Sequence, residues 1–167
     1  MLRVAVAAAE FGLPIAPGTL RNLKKCPIGD RNWTDESREL FIRLLASGPA
    51  LLNVWEDIDF IDVPGKLIPE WLGVRNRPSA SAAHRYTIDR HMVEVVTRLG
   101  RETPSGGRYD DRHYEALLLA GILHDIGKRP GGPTMRRKAL GMRPWSWNAW
   151  DSTATSSAGS RCWYASI

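Results

Sequence analysis

The sequence predicts an all-α protein up to about Lys128. In residues 88–99 the apolar side chains recur every three or four positions, which indicates an amphipathic helix. The apolar run that begins at Leu117 is typical of a helix buried on most of its circumference. Residues that favour helix starts and stops also bracket these segments. The predicted helices cover residues 2–11, 34–47, 49–59, 88–99 and 114–126.

The first sixty residues favour helices. Residues 2–11 are rich in Ala and Val and stop at Gly12, and a weaker helix is expected after Pro17. Thr34 suits the cap of the next helix, because its hydroxyl can accept a backbone N–H, and Pro49 suits the first turn of the one after it. We expect the apolar stripes of these helices to form core.

The middle of the chain changes in composition. Residues 62–83 are rich in Pro, Gly and Ser, which predicts mainly loop with a short turn near residues 66–71. Thr87 suits the N-cap of the helix at 88–99, which Gly100 ends. Residues 101–111 predict a loop, and His113 is expected to be exposed.

Length and composition restrict the class of protein. A chain of 167 residues is enough for one domain with a hydrophobic core. We find no apolar run of membrane-spanning length and no export signal at the N-terminus. Cys26 and Cys162 have neither disulfide nor zinc-site spacing, so we expect a cytoplasmic protein.

The charge distribution argues against a nucleic-acid partner. The net charge of +5 comes from residues 129–167, whereas residues 1–128 are neutral. A neutral body lacks the basic surface that a nucleic acid requires. We expect neither nucleic acid nor membrane as a partner.

His124 and Asp125 end the buried apolar run. Burial of an imidazole and a carboxylate costs free energy unless something compensates, and a divalent metal can bind both. His91 lies on the apolar face of the preceding helix and is the natural further ligand, with His84 as the competitor. The competing interpretation is that His124 caps the helix and Asp125 pairs with a surface cation.

The segment His124-Asp125-Ile126-Gly127-Lys128 resembles the motif of the HD-domain metal-dependent phosphohydrolases. Residues 67–71, 75–78 and 84–91 resemble one subgroup of that family, the bifunctional PII uridylyltransferase/uridylyl-removing enzymes of bacterial nitrogen control. The resemblance implies a helical HD-domain bundle. It also implies a helical linker region at 1–60 and a partial HD domain at 61–128. The resemblance stops at Lys128, and residues 129–167 are expected to form an irregular tail.

The resemblance implies a phosphodiesterase site. His91, His124 and Asp125 would hold Mn²⁺ or Mg²⁺, which would polarise a phosphoryl oxygen and activate water. Lys128 would neutralise charge on the phosphate. The implied substrate is the phosphodiester that joins UMP to a tyrosine of the PII signalling protein, which is therefore the implied partner.

The sequence departs from the resembled enzymes in two respects. Their final Asp ligand lies on a later helix that no segment here supplies, so we expect an incomplete bundle and weak metal binding. Their nucleotidyltransferase and glutamine-sensing ACT domains have no counterpart in this sequence. We therefore expect no uridylyl transfer, and hydrolysis impaired by truncation.

Residues 129–167 show no helical or strand periodicity, yet they contain Trp145, Trp147, Trp150 and Trp163. We hypothesise that this tail is a frame-shift product, because residues 133–139 read in a neighbouring frame resemble the continuation of the family. The competing interpretation is a lineage-specific tail. In either case we expect it to be disordered or poorly packed.

Other assignments stay open. The chain could be a different HD phosphohydrolase, such as a cyclic-dinucleotide phosphodiesterase, although the downstream Gly-Tyr-Pro element of those enzymes is missing. It could also be a non-functional truncated gene product. Arg75 and Arg77 are candidates to face a phosphate, and Asp89 or Arg90 to orient His91 or contact substrate. Solvated charges and surface salt bridges are the competing interpretation for these four residues.

Overall fold

The part of the chain that the structure describes is mainly helical. The structure is a computed structural model, and it describes residues 1–26, 33–79, 85–100 and 111–128. The helices in these ranges are α1 (Leu2–Phe11), α2 (Pro17–Lys25), α3 (Asp35–Leu45), α4 (Ala50–Phe60), α5 (Val63–Leu67), α6 (Ile88–Leu99) and α7 (Asp111–Leu123), with a 3₁₀ turn at Pro69–Gly73. The predicted all-α fold is confirmed and is consistent with a bundle of the HD type.

Local chemistry accounts for the helix ends. Gly12 ends α1 with a left-handed φ of 63°, a conformation that costs glycine little, and its N–H reaches the carbonyls of Ala8 and Ala9. Thr34 caps α3 as predicted, because its Oγ1 accepts the N–H of Ser37 at 3.1 Å. Thr87 is the N-cap residue of α6, but its side chain makes no capping hydrogen bond.

The prediction of mainly loop after Asp62 was wrong for much of this segment. Val63–Leu67 is helical and Pro69–Gly73 is a 3₁₀ turn. Pro64 and Pro69 fit the first positions of these elements. Val63 and Trp71 are almost fully buried, so tertiary packing adds to this local preference. Burial of Trp71 depends on Trp55 of α4, whose ring lies edge-on to it with the centroids 5.1 Å apart.

The helices share one hydrophobic core. α6 packs against both α7 and α4, and α1 packs against α3 and α4. The fully buried residues at the centre of these contacts are Leu44, Leu51, Met92, Val96, Leu118 and Ile122. α6 is therefore the central helix of the part of the chain that positions the candidate site.

Several predictions lie outside the described residues. These are most of the loop predicted at residues 101–111, the disordered tail and its frame-shift origin at residues 129–167, and the competing ligand His84. The proposed domain boundaries stay predictions. Within the described ranges, no helix combines the length and the apolar character that crossing a membrane requires.

Candidate metal centre

α6 and the turn after α7 bring His91, His124 and Asp125 together. One ligand atom from each residue lies within 4.8 Å of the others. α7 ends at Leu123, three residues earlier than predicted, so His124 and Asp125 belong to a turn rather than to the helix. This turn directs both side chains back towards α6.

Gly121 allows the two helices to approach closely. A Cβ atom placed there would lie 2.9 Å from Leu99 Cδ1 and 3.0 Å from Val96 Cγ2 of α6. Distances this short are tighter than ordinary carbon–carbon contacts. The missing side chain therefore sets the helix separation that brings His91 to the end of α7.

Gly121 also orients the His124 ring. Nδ1 of His124 lies 2.9 Å from the carbonyl oxygen of Gly121. A carbonyl oxygen can only accept, so Nδ1 carries the hydrogen and Nε2 of the neutral ring carries a lone pair. Nε2 lies 3.3 Å from Nε2 of His91 and 3.4 Å from Oδ2 of Asp125.

These separations fit three ligands of one cation. Metal–ligand distances of roughly 2.0–2.2 Å place neighbouring ligand atoms about 3.0–3.4 Å apart. The two distances from His124 Nε2 agree with that range. Two imidazoles and a carboxylate are also ligands that divalent transition metals accept. The triad is therefore consistent with a divalent metal, as the sequence suggested.

Lys128 compensates the charge of Asp125. The Asp125 side chain is 4% exposed, and its Oδ2 accepts a hydrogen bond from Lys128 Nζ at 2.7 Å. The competing interpretation from the sequence is thus also observed, because Asp125 pairs with a cation and His124 bonds to a carbonyl of the last turn of α7. Lys128 was expected to face a phosphate; its ammonium group is 2.7 Å from a candidate ligand and stays at the edge of the triad.

The two loop arginines differ in their surroundings. Arg75 donates from Nε to Asp59 Oδ2 at 2.8 Å and lies 3.6 Å from Asp62 Oδ1, so its charge is used within the fold. Arg77 is exposed, and its carbonyl oxygen accepts the N–H of Ile88 at the start of α6. Of these two, the Arg77 side chain is the more accessible to a phosphate.

Asp89 and Arg90 also form polar contacts within the fold. Arg90 pairs with Glu56 of α4 and with Glu94 one turn along α6, which agrees with the salt-bridge interpretation. Asp89 Oδ2 accepts the N–H of Asn76 at 2.8 Å. His113 is exposed, as predicted.

Sequence reasoning missed a cavity of about 250 Å³ between α4, the 3₁₀ turn and α6. Trp55 and Trp71 form part of its wall, and both were interpreted only as core residues. Periodicity places a side chain on the inner face of a helix, but it does not show whether that face is filled. The one available signal in the sequence was Asp89, because its neighbours three and four positions along α6, Met92 and Val93, are apolar.

Fold and site together define an all-α protein with a candidate divalent-metal centre of two histidines and an aspartate. Comparison with known proteins shows that, over about three quarters of its length, the chain is homologous to a segment of the bifunctional uridylyltransferase/uridylyl-removing enzymes. It is 39% identical over 129 residues to the enzyme of Streptomyces coelicolor. The aligned segment is 76% of this chain and 15% of that protein.

Two further relatives carry the same name. The Mycobacterium tuberculosis enzyme is 36% identical over 132 residues, and the Corynebacterium glutamicum enzyme is 33% identical over 127 residues. The chain spans 16% and 18% of the length of these two proteins. No protein-family model matches the chain, and no solved structure does.

Proposed function

We propose that this chain carries the uridylyl-removing site of such an enzyme, as a metal-dependent phosphodiesterase of the HD type within residues 61–128. The observation that carries the proposal is the convergence of His91, His124 and Asp125 within 4.8 Å. The name of the relatives includes uridylyl removal. Hydrolysis is also the chemistry that a cation held by imidazoles and a carboxylate serves.

Each residue of the site has a separate role in this proposal. A divalent cation, which we propose to be Mn²⁺ or Mg²⁺, would polarise a phosphoryl oxygen and activate water when bound. The hydrogen bond from His124 Nδ1 to Gly121 fixes the ring so that Nε2 faces the ligand position. Buried Asp125 supplies negative charge, and Lys128 supplies positive charge beside the place where a phosphate would approach.

The proposed substrate is a uridylylated tyrosine of the PII signalling protein, as the family resemblance implies. Residues 1–60 would form a helical region that precedes the site, and the chain would work in the cytoplasm. The relatives named above do not favour a cyclic-dinucleotide phosphodiesterase.

The test is release of UMP from uridylylated PII by the purified chain in the presence of Mn²⁺. We expect slow release that stops when the metal is chelated and is lost in His124→Ala and Asp125→Ala. His113→Ala is the matched control, since it removes an exposed histidine of α7 outside the triad. A bis-(3′,5′)-cyclic dinucleotide in place of uridylylated PII tests the alternative substrate class.

Two results would count against the proposal. Preferential cleavage of the cyclic dinucleotide would assign the site to the other HD class. No hydrolysis of either substrate by a folded, metal-loaded chain would support a product without enzymatic function.

A further inference from the structure

Lys128 and a divalent cation at the triad would use the same atom, Oδ2 of Asp125. This oxygen lies 3.4 Å from His124 Nε2, as a neighbouring ligand of one cation would. It also accepts a hydrogen bond from Lys128 Nζ at 2.7 Å. Within the described residues the triad contains one carboxylate. The lysine ammonium group and the cation therefore depend on the same negative charge.

The geometry of this oxygen alone permits two partners. A carboxylate oxygen has two lone pairs, so it can accept an N–H and bind a cation at the same time. With a metal–oxygen distance of roughly 2.2 Å, the cation would then lie at most about 4.9 Å from Lys128 Nζ. Repulsion between the two positive charges, rather than lack of space, opposes sharing of the oxygen.

Burial makes this repulsion effective. The Asp125 side chain is 4% exposed, and water and salt screen buried charges much less than exposed ones. With both imidazoles neutral, Asp125 and Lys128 balance each other. A divalent cation added to that pair leaves two unbalanced positive charges, whereas without the ammonium group it leaves one. The charge of Lys128 therefore disfavours metal binding at the triad.

Of the two partners, Lys128 is the one that can turn to solvent. Its side chain is 39% exposed, in contrast to the buried carboxylate. The ammonium group is strongly hydrated and sits on a flexible stem of four carbons, so water can replace Asp125 as its partner. When a cation binds Oδ2, we therefore expect the ammonium group to move and the carboxylate to stay.

We propose that Lys128 competes with the divalent cation for Asp125 Oδ2, so that metal binding displaces its ammonium group. A residue that is not a ligand then limits the metal affinity of the triad. The displaced ammonium group can pair with an anion, so metal binding precedes its contact with a phosphate. This inference rests on the proposed function, which takes the triad as the metal centre and assigns the phosphate contact to Lys128.

The first test is a calorimetric titration of the full chain with Mn²⁺ in the absence of substrate. Lys128→Gln removes the charge and keeps a hydrogen-bond donor, and it should bind Mn²⁺ about tenfold more tightly than the wild type. Lys128→Arg keeps the charge and should stay within about threefold of the wild type. A lysine that only positioned Asp125 would instead give weaker or equal binding in Lys128→Gln.

Lys24→Gln is the matched control for the loss of one lysine charge. Lys24 is exposed on α2, and its replacement should leave Mn²⁺ affinity unchanged. His124→Ala should abolish binding, which shows that the titration reports on the triad. Circular dichroism checks that each variant is folded.

The second test uses the wild-type chain and does not depend on the folding of a Lys128 variant. Acetic anhydride acetylates lysines, and peptide mass spectrometry gives the rate at each position. Mn²⁺ should raise the acetylation rate of Lys128 severalfold, because the displaced amine no longer donates to Asp125. The rate at Lys24 should not change, and His124→Ala should remove the effect of Mn²⁺ on Lys128.

Three results would overturn the proposal. One is Mn²⁺ binding that His124→Ala abolishes but a folded Lys128→Gln does not tighten, which would show that both cations share the oxygen. Another is acetylation of Lys128 at the same rate with and without Mn²⁺. Both of these leave the proposed function intact. The third is no Mn²⁺ binding by the folded wild-type chain, which would remove the proposed function together with this inference.

Discussion

Asp59 fixes Arg75 with two different groups. Its carboxylate accepts from Arg75 Nε at 2.8 Å, and its backbone carbonyl accepts from Nη2 at 2.5 Å. The other carboxylate oxygen accepts from the indole of Trp71. The last turn of α4 thereby holds both the 3₁₀ turn and the segment that leads to α6.

This arrangement predicts that Asp59→Asn lowers the free energy of unfolding by about 1–3 kcal/mol, because partly buried charge-assisted hydrogen bonds are weakened. Urea denaturation followed by circular dichroism measures the change. Glu36→Gln is the control, since Glu36 pairs with Arg3 on the exposed surface. Its effect should stay below about 1 kcal/mol, and equal losses in the two variants would contradict the role assigned to Asp59.

The triad predicts weak binding of divalent cations, with Mn²⁺ bound more tightly than Mg²⁺. Two of its three ligand atoms are imidazole nitrogens, which favour the softer cation. Calorimetric titration should show binding in the wild type and in His113→Ala, and none in His124→Ala or Asp125→Ala. Tight binding that survives both substitutions would place the metal elsewhere.

Gly121→Ala should loosen the contact between α6 and α7. The added methyl group meets Leu99 and Val96 at 2.9 and 3.0 Å, so we expect a loss of about 1–3 kcal/mol in stability together with weaker Mn²⁺ binding. Gly18→Ala is the matched control on α2, where the nearest atom is the end of the Arg21 side chain at 3.7 Å. Thermal melts and a Mn²⁺ titration of both variants test this, and unchanged binding in Gly121→Ala would be evidence against helix separation as the determinant of the site.

Lys128→Met should destabilise the chain in the absence of metal. It leaves the buried Asp125 carboxylate without its ammonium partner, at a cost of about 1–3 kcal/mol. Saturating Mn²⁺ should reduce that loss, because a bound cation also compensates the carboxylate. Melting temperatures with and without Mn²⁺ measure both effects. Lys24→Met, an exposed lysine of α2, should change neither, and a Lys128→Met loss that Mn²⁺ leaves unaltered would show that the metal does not bind at Asp125.

The helices and the triad could be predicted because their signals are local. Periodicity identified α6 and placed His91 on its inner face, and the apolar run before His124 identified α7. The helical turn at residues 63–67 could not be predicted in the same way, because it packs against α4 and the 3₁₀ turn at Pro69–Gly73, where Trp71 contacts Trp55 of α4. That contact joins residues far apart in the sequence.

The contact between Lys128 and Asp125 was also not predicted from the sequence. A lysine three residues after an aspartate is equally compatible with a contact to substrate and with a contact to that aspartate. The turn after Leu123 decides between them, since it places Nζ 2.7 Å from Asp125 Oδ2. The contact of Asp89 was not predicted for a related reason. Its partner, the N–H of Asn76, belongs to a segment whose path no local pattern fixes.

The pairing of Pro78 with Thr87 offers a use in engineering. These two residues form an isolated antiparallel bridge, and the N–H of Ile88 bonds to the carbonyl of Arg77 at 2.8 Å. This bridge holds together the parts of the chain that flank residues 79–86. Lengthening a closed loop costs only about 0.6 kcal/mol per doubling of its length. A short peptide tag or a fluorescent reporter inserted there would report on the start of α6 while leaving the helix and its histidine in place.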